Sequence, residues 1–104
     1  MAVRISLKRK EIVAFCQQWQ ITELAFFGSV LRDDFRPDSD VDVLVTFTPG
    51  VAWSLFDHIA MEEELSALLG RKVDLVSRRA IERSSNWIRR RTILETAEPF
   101  YAAR

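Results

Sequence analysis

Three aspartates carry the chemistry that this sequence can do. Asp40 and Asp42 flank Val41 at the start of the run VDVLVTF (41–47), and Asp74 sits inside a second run, KVDLV (72–76). Residues i and i+2 of a strand point to the same side about 6.6 Å apart, so the side chains of Asp40 and Asp42 can converge on one ion. Unpaired, they would repel each other. Oxygen ligands of this kind suit a hard cation such as Mg²⁺, which takes one or two protein carboxylates and completes its octahedron with waters and substrate phosphates. Two such ions about 3.5 to 4 Å apart stabilise both the attacking and the leaving oxygen of an in-line displacement at phosphorus. Asp74 is then the third member, as general base or as ligand.

Upstream, Gly28-Ser29 stops the apolar run TELAFF (22–27) and leads into a candidate short helical turn over residues 30–35. Glycine permits close backbone approach, the serine hydroxyl can donate to a phosphate, and amides at a helix start favour an anion. Arg32 lies within that turn as a candidate phosphate clamp.

These residues need elements to hold them. Ile12, Phe15, Cys16 and Trp19 fall at i, i+3, i+4 and i+7, which predicts a helix over roughly 7–19 that Ser6 can cap. Residues 22–27 suit a short buried strand. Over 41–47, Val41, Val43, Val45 and Phe47 share one face, and the other face begins with a carboxylate, so this is the clearest strand in the chain. The break Thr48-Pro49-Gly50 precedes an amphipathic helix running from Phe56 through Leu69 that Gly70 can terminate. Residues 72–76 read as a third strand, residues 79–97 as one or two helices broken near Ser84-Ser85, and the residues after Pro99 as a tail. The order α-β-β-α-β-α predicts an α/β (α+β) fold, a small mixed β-sheet with helices packed on one face, since each strand has one fully apolar side.

Composition narrows the function classes. The chain has 104 residues, 48% hydrophobic and 29% charged, which fits one domain over 1–104 with a real core and no second domain to grip a large substrate. The single Cys16 excludes a disulfide framework and a multi-cysteine metal site, and no apolar stretch reaches the roughly 18 residues of a membrane span. A cytoplasmic setting is the expectation. Fifteen Lys and Arg balance fifteen Asp and Glu, but six stand against eleven in residues 1–70 and nine against four in residues 71–104. Neutrality here is cancellation.

Gly28-Ser29 followed by Asp40-x-Asp42, inside FFGSVLRDDFRPDSDVDVLV, resembles the signature of the DNA polymerase β-type nucleotidyltransferase superfamily, and the short chain looks like a minimal nucleotidyltransferase. Arg32, Arg36, Pro37, Asp38 and Ser39 are similar to the family's usual loop. The resemblance implies the nucleotidyltransferase fold, Mg²⁺ (two ions) on Asp40, Asp42 and Asp74, and ATP phosphates held by Gly28, Ser29, Arg32 and Ser39. It further implies an antitoxin that transfers AMP from ATP to a tyrosine of a HEPN-domain toxin ribonuclease with release of pyrophosphate, Asp74 helping to deprotonate the acceptor. A nucleotidyltransferase acting on RNA 3′ ends and a non-catalytic antitoxin acting by occlusion are the alternatives.

Other residues read more plainly. His58 has no companion ligand, Cys16 belongs to a buried stripe, and Trp53, just past the Pro-Gly break, is a candidate border of the nucleotide pocket. Arg89, Arg90 and Arg91 are consecutive and fan across about 200° of a helix, so they form no single stripe. A solvated face, a partner surface and RNA contact are all open for them, and no recognisable RNA module accompanies them.

Overall fold

The computed structural model describes residues 8–31 and 39–103, with Ser29 described by its backbone alone. The elements run α1 (Arg9–Gln18), β1 (Ile21–Phe27), a 3₁₀ turn (Gly28–Leu31), β2 (Val41–Phe47), α2 (Leu55–Leu69), β3 (Val73–Ser77), α3 (Arg78–Glu82), α4 (Trp87–Thr96) and β4 (Glu98–Ala102). The sheet order is β3-β2-β1-β4. β1 is antiparallel to both β2 and β4, and β2 is parallel to β3, so the sheet is mixed as expected.

The alternation along β2 decides what each face holds. Val41, Val43 and Val45 are buried with Leu24 and Phe26 of β1 and Val73 and Leu75 of β3, beneath Ile12, Phe15 and Cys16 of α1 and Met61, Leu65 and Leu69 of α2. α2 is closed at both ends by local chemistry. Ser54 accepts from the Asp57 amide while Asp57 accepts from the Ser54 amide, and Gly70 caps the far end at φ 68°. α1 starts after Lys8 with no side-chain cap, and the expected cap Ser6 lies outside the described residues.

Two expectations are corrected. Helices cover both faces of the sheet, not one. Ala25, Phe27 and Leu44 point away from α1 and α2 and are buried with Ile81 of α3 and Ile93 of α4, with Val76, Leu94 and Ala97 packed alongside. Those strands carry apolar residues at both parities, and the second face carries two neighbouring carboxylates at the end where Asp42 pairs with Asp74. The residues around Pro99 are also not a tail but the edge strand β4, where a proline's missing N–H costs little. Phe100 is 7% exposed and meets Phe26 edge to face with centroids 5.7 Å apart, and the Arg9 guanidinium stands 5.0 Å from its ring centre.

β3 is the opposite edge, and α2 covers it. The Val73 amide donates to Ser66 Oγ at 3.0 Å and the Leu75 amide to Glu62 Oε2 at 2.8 Å, so the outward N–H groups on either side of Asp74 are satisfied by side chains.

Burial pushes the Cys16 thiol up to about 12 from 9.0. A thiol that is harder to ionise when folded favours the native state below pH about 9, and that advantage is lost as pH rises from about 9 to about 12. Cys16 is therefore expected to resist a maleimide at pH 8 in the folded protein and to react fully in denaturant, as followed by mass spectrometry. Phe100→Ala is expected to lower unfolding free energy by about 3 kcal/mol or more in urea titration, the cost of emptying an aromatic core site; a change below about 1 kcal/mol would show that β4 does not hold the sheet.

Candidate active site

Register places the site. β1 pairs Phe27 with Asp42, and β2 pairs Asp42 with Asp74, so these three residues form one row across the sheet on its second face. The next row along the same face is Ala25, Leu44 and Val76, which α3 and α4 cover. The face is thus apolar at its middle and acidic at the end where β1 finishes and β2 and β3 begin. Neighbouring strands lie about 4.8 Å apart, which sets Asp42 and Asp74 side by side. Asp74 is exposed, Asp42 half-buried, and Asp40 exposed immediately before β2 with the parity of Asp42.

Gly28 follows directly on Phe27 with φ 76°, a conformation that favours glycine. A methyl group added there would stand 3.2 Å from Asp42 Cγ and closer still to Oδ2. The turn after β1 therefore brushes the carboxylate, and only a residue without a side chain fits. Ser29 lies in the same 3₁₀ turn by its backbone. Ser39 is half-buried one residue before Asp40 and does not line the cavity described below. Arg32 lies outside the described residues.

A cavity of about 630 Å³ opens at this end of the sheet, lined by Phe27, Gly28, Leu31 and Asp42 on the strand side and by Arg89, Thr92, Ile93 and Thr96 of α4 on the other. That volume is in the range of small-ligand sites. The α4 residues went unread in the sequence because nothing there tells which side of a helix with three consecutive arginines turns inward; the spacing 89, 92, 93, 96 around the apolar Ile93 was the available signal. Trp53 does not border this cavity. It lines a separate one of about 550 Å³ near the far ends of β2 and β3, donates from Nε1 to the Trp19 carbonyl at 3.2 Å, and packs edge to face on the Trp19 ring. His58 lines that second cavity too and lies 3.6 Å from Glu62.

The donor set fits a hard cation, with carboxylates on adjacent strands and a paired parity on one. Among the described residues no three His, Cys, Asp or Glu side chains converge closely enough to hold a metal ion, so Asp40, Asp42 and Asp74 share one end of the sheet without forming a closed cage. Mg²⁺ asks for less, since one or two carboxylates suffice when substrate phosphates complete its shell.

Because the tight approach of Gly28 is to the Asp42 carboxyl group, their substitutions are expected to couple. Gly28→Ala should destabilise by about 1–3 kcal/mol, and in an Asp42→Ala background the loss should shrink by about 0.5 kcal/mol or more, as measured by a double-mutant cycle in urea. Strict additivity would mean that the two groups do not meet.

The nucleotidyltransferase domain family matches residues 9–98 of this chain. Protein adenylyltransferase MntA of Thermococcus cleftensis is 41% identical over 66 residues, which cover 64% of this chain and 65% of that protein, just under two thirds of its length. A candidate protein adenylyltransferase of Methanocaldococcus jannaschii is 35% identical over 74 residues, 71% of each chain. Among solved structures, a candidate minimal nucleotidyltransferase superposes with a TM-score of 0.69 at 34% identity, covering 89% of both chains. A chain of a toxin-antitoxin crystal structure with AMP-PNP superposes at 0.70, with 16% identity over 94% of this chain and 76% of that one, which is a likeness of fold. By the extent of the family match and by these relatives, the chain belongs to the nucleotidyltransferase domain family, in its minimal form.

Proposed function

We propose that this chain, as a single domain over 1–104, is an antitoxin that transfers AMP from ATP to a tyrosine hydroxyl of a partner HEPN-domain toxin ribonuclease and so neutralises it. The observation that carries the reading is the row Phe27, Asp42, Asp74 with the Gly28 backbone against Asp42 at the mouth of a cavity of nucleotide size. The relatives support the choice of acceptor, since they include a protein adenylyltransferase and toxin-antitoxin complexes, one of them holding a tri-AMPylated HEPN toxin with its MNT antitoxin.

In this mechanism Asp40 and Asp42, with Asp74 as ligand or base, are the residues that would hold Mg²⁺. When bound, Mg²⁺ supplies positive charge to the phosphate oxygens and to the leaving pyrophosphate. Gly28, having no side chain, leaves room for the phosphate chain beside β1, with Ser29, Arg32 and Ser39 as further phosphate contacts. The acceptor oxygen bonds to the α-phosphorus as the bond from that phosphorus to the bridging oxygen breaks. Its proton passes to Asp74, which stands exposed at the sheet edge where an acceptor carried by another protein can reach it. Asp74 has a firm mount for this task, because the amides on both sides of it are tied to Ser66 and Glu62 of α2.

Incubation with a HEPN-domain toxin, ATP and Mg²⁺ is expected to add mass to that toxin in steps of one AMP. Asp42→Asn should slow this at least about a hundredfold, the loss of several kcal/mol of charge stabilisation, while the circular dichroism spectrum stays that of the parent. A folded pair that gains no AMP would overturn the transferase reading. Labelled ATP offered with a tRNA pool separates modification of protein from modification of RNA.

A further inference from the structure

The three consecutive arginines of α4 have three different situations. Arg90 donates to the Ser84 carbonyl at 2.9 Å and ties the α3–α4 turn. Arg91 pairs with Glu95 at 3.2 Å on the outer surface of the helix. Arg89 does neither. Its backbone amide takes the Asn86 side-chain oxygen as part of the helix cap, and its side chain lines the cavity that holds Gly28 and Asp42.

The helix aims it there. Arg89, Thr92, Ile93 and Thr96 fall at i, i+3, i+4 and i+7, one stripe of α4. Ile93, 6% exposed, is the anchor of that stripe, buried against Leu44 and Phe27 of the sheet. Packing of one apolar residue therefore fixes the rotation of the helix and with it the direction of Arg89. Across the cavity stands the Asp42 carboxylate, and Arg89 is the one cationic side chain lining the cavity among the described residues. A nucleoside triphosphate keeps net negative charge even with a divalent ion bound, and a guanidinium can grip two phosphate oxygens at once.

We infer that Arg89 is a phosphate-binding residue of the nucleotide site, supplied by α4 and facing the carboxylate strands across the cavity, so that the triphosphate chain lies between a cationic helix wall and an acidic sheet end. The inference rests on the proposed nucleotide transfer and adds a residue to it. Arg89 is exposed on its helix, so substitution spares the core, and alanine suits a helix better than arginine does.

The test is ATP affinity by calorimetry in Mg²⁺, with the free chain and no partner. Arg89→Ala is expected to weaken binding by about tenfold or more, the worth of a charge-assisted contact. Arg89→Lys, which keeps the charge and loses the flat fork, should recover affinity to within about threefold of the parent. Arg91→Ala should match the parent within about twofold, since its side chain already faces Glu95. A loss under about fivefold for Arg89→Ala, a lysine variant as weak as the alanine one, or an equal loss for Arg91→Ala would each overturn the assignment. Failure of the parent chain to bind ATP would instead overturn the transferase reading, and the role of Arg89 with it.

Discussion

Where β1 ends, the backbone of Gly28 lies against the carboxyl group of Asp42, and this approach exists because the antiparallel register sets Phe27 opposite Asp42. Move the register by one residue and the aspartate would point into the core among Val41, Val43 and Val45, where an unpaired charge is costly. The apolar burial on one face thus fixes the position of the acidic group on the other. Parallel pairing of β2 with β3 then adds Asp74 beside it without any further device. The same positions that hold the fold together therefore aim the carboxylates, and a core substitution that shifts β2 would be felt at the site.

The second face of the sheet performs two tasks within a few ångströms. Its middle row of Ala25, Leu44 and Val76 is sealed by Ile81 and Ile93, which holds α3 and α4 down, while its end row sets two carboxylates beside the buried Phe27. α4 bridges the two, because Ile93 packs into the apolar row and Arg89, one turn earlier, lines the cavity that also holds Asp42. At the free edge of β3, Glu62 and Ser66 take the outward amides of Leu75 and Val73. That blocks strand addition at the edge and leaves only the side chain of Asp74 to face outward from the end row.

Much of this is legible in the sequence for physical reasons. The bounds of β2 at 41–47 could be read because Val41, Val43, Val45 and Phe47 alternate with Asp42, Leu44 and Thr46, and α2 could be ended at Gly70 because glycine alone adopts the left-handed cap at no cost. That Asp42 and Asp74 share a side followed from parity, while the approach of Gly28 to Asp42 needs the pairing of β1 with β2. β4 was missed since Pro99 reads as a breaker when its neighbour strand is unknown; only the pairing of β1 with residues 98–102 shows that the proline sits on an edge. The covered second face was missed because Phe27, Leu44 and Val76 each lie in different strands, and their adjacency is a property of register, not of local sequence. The facing of Arg89 depends on the rotation of α4 about Ile93, which no window along the chain encodes.

Charge, finally, is better understood by location than by sum. The exposed Arg91–Glu95 pair, with side chains 69% and 63% accessible, contributes at most a few tenths of a kcal/mol, and surface pairs of this kind do not explain why the basic residues gather in residues 71–104. The core explains the stability with no help from them, since no charged residue is buried among the described residues. Two of these arginines tie the fold directly, Arg90 at its turn and Arg78, whose Nε donates to Thr46 Oγ1 at 3.3 Å. What remains is a helix wall that folds back over the sheet end, bringing the Arg89 cation and the Asp42 carboxylate of opposite halves of the chain to the two sides of one cavity. An anion carrying its own divalent cation satisfies both walls together, and neither a free cation nor a bare anion does.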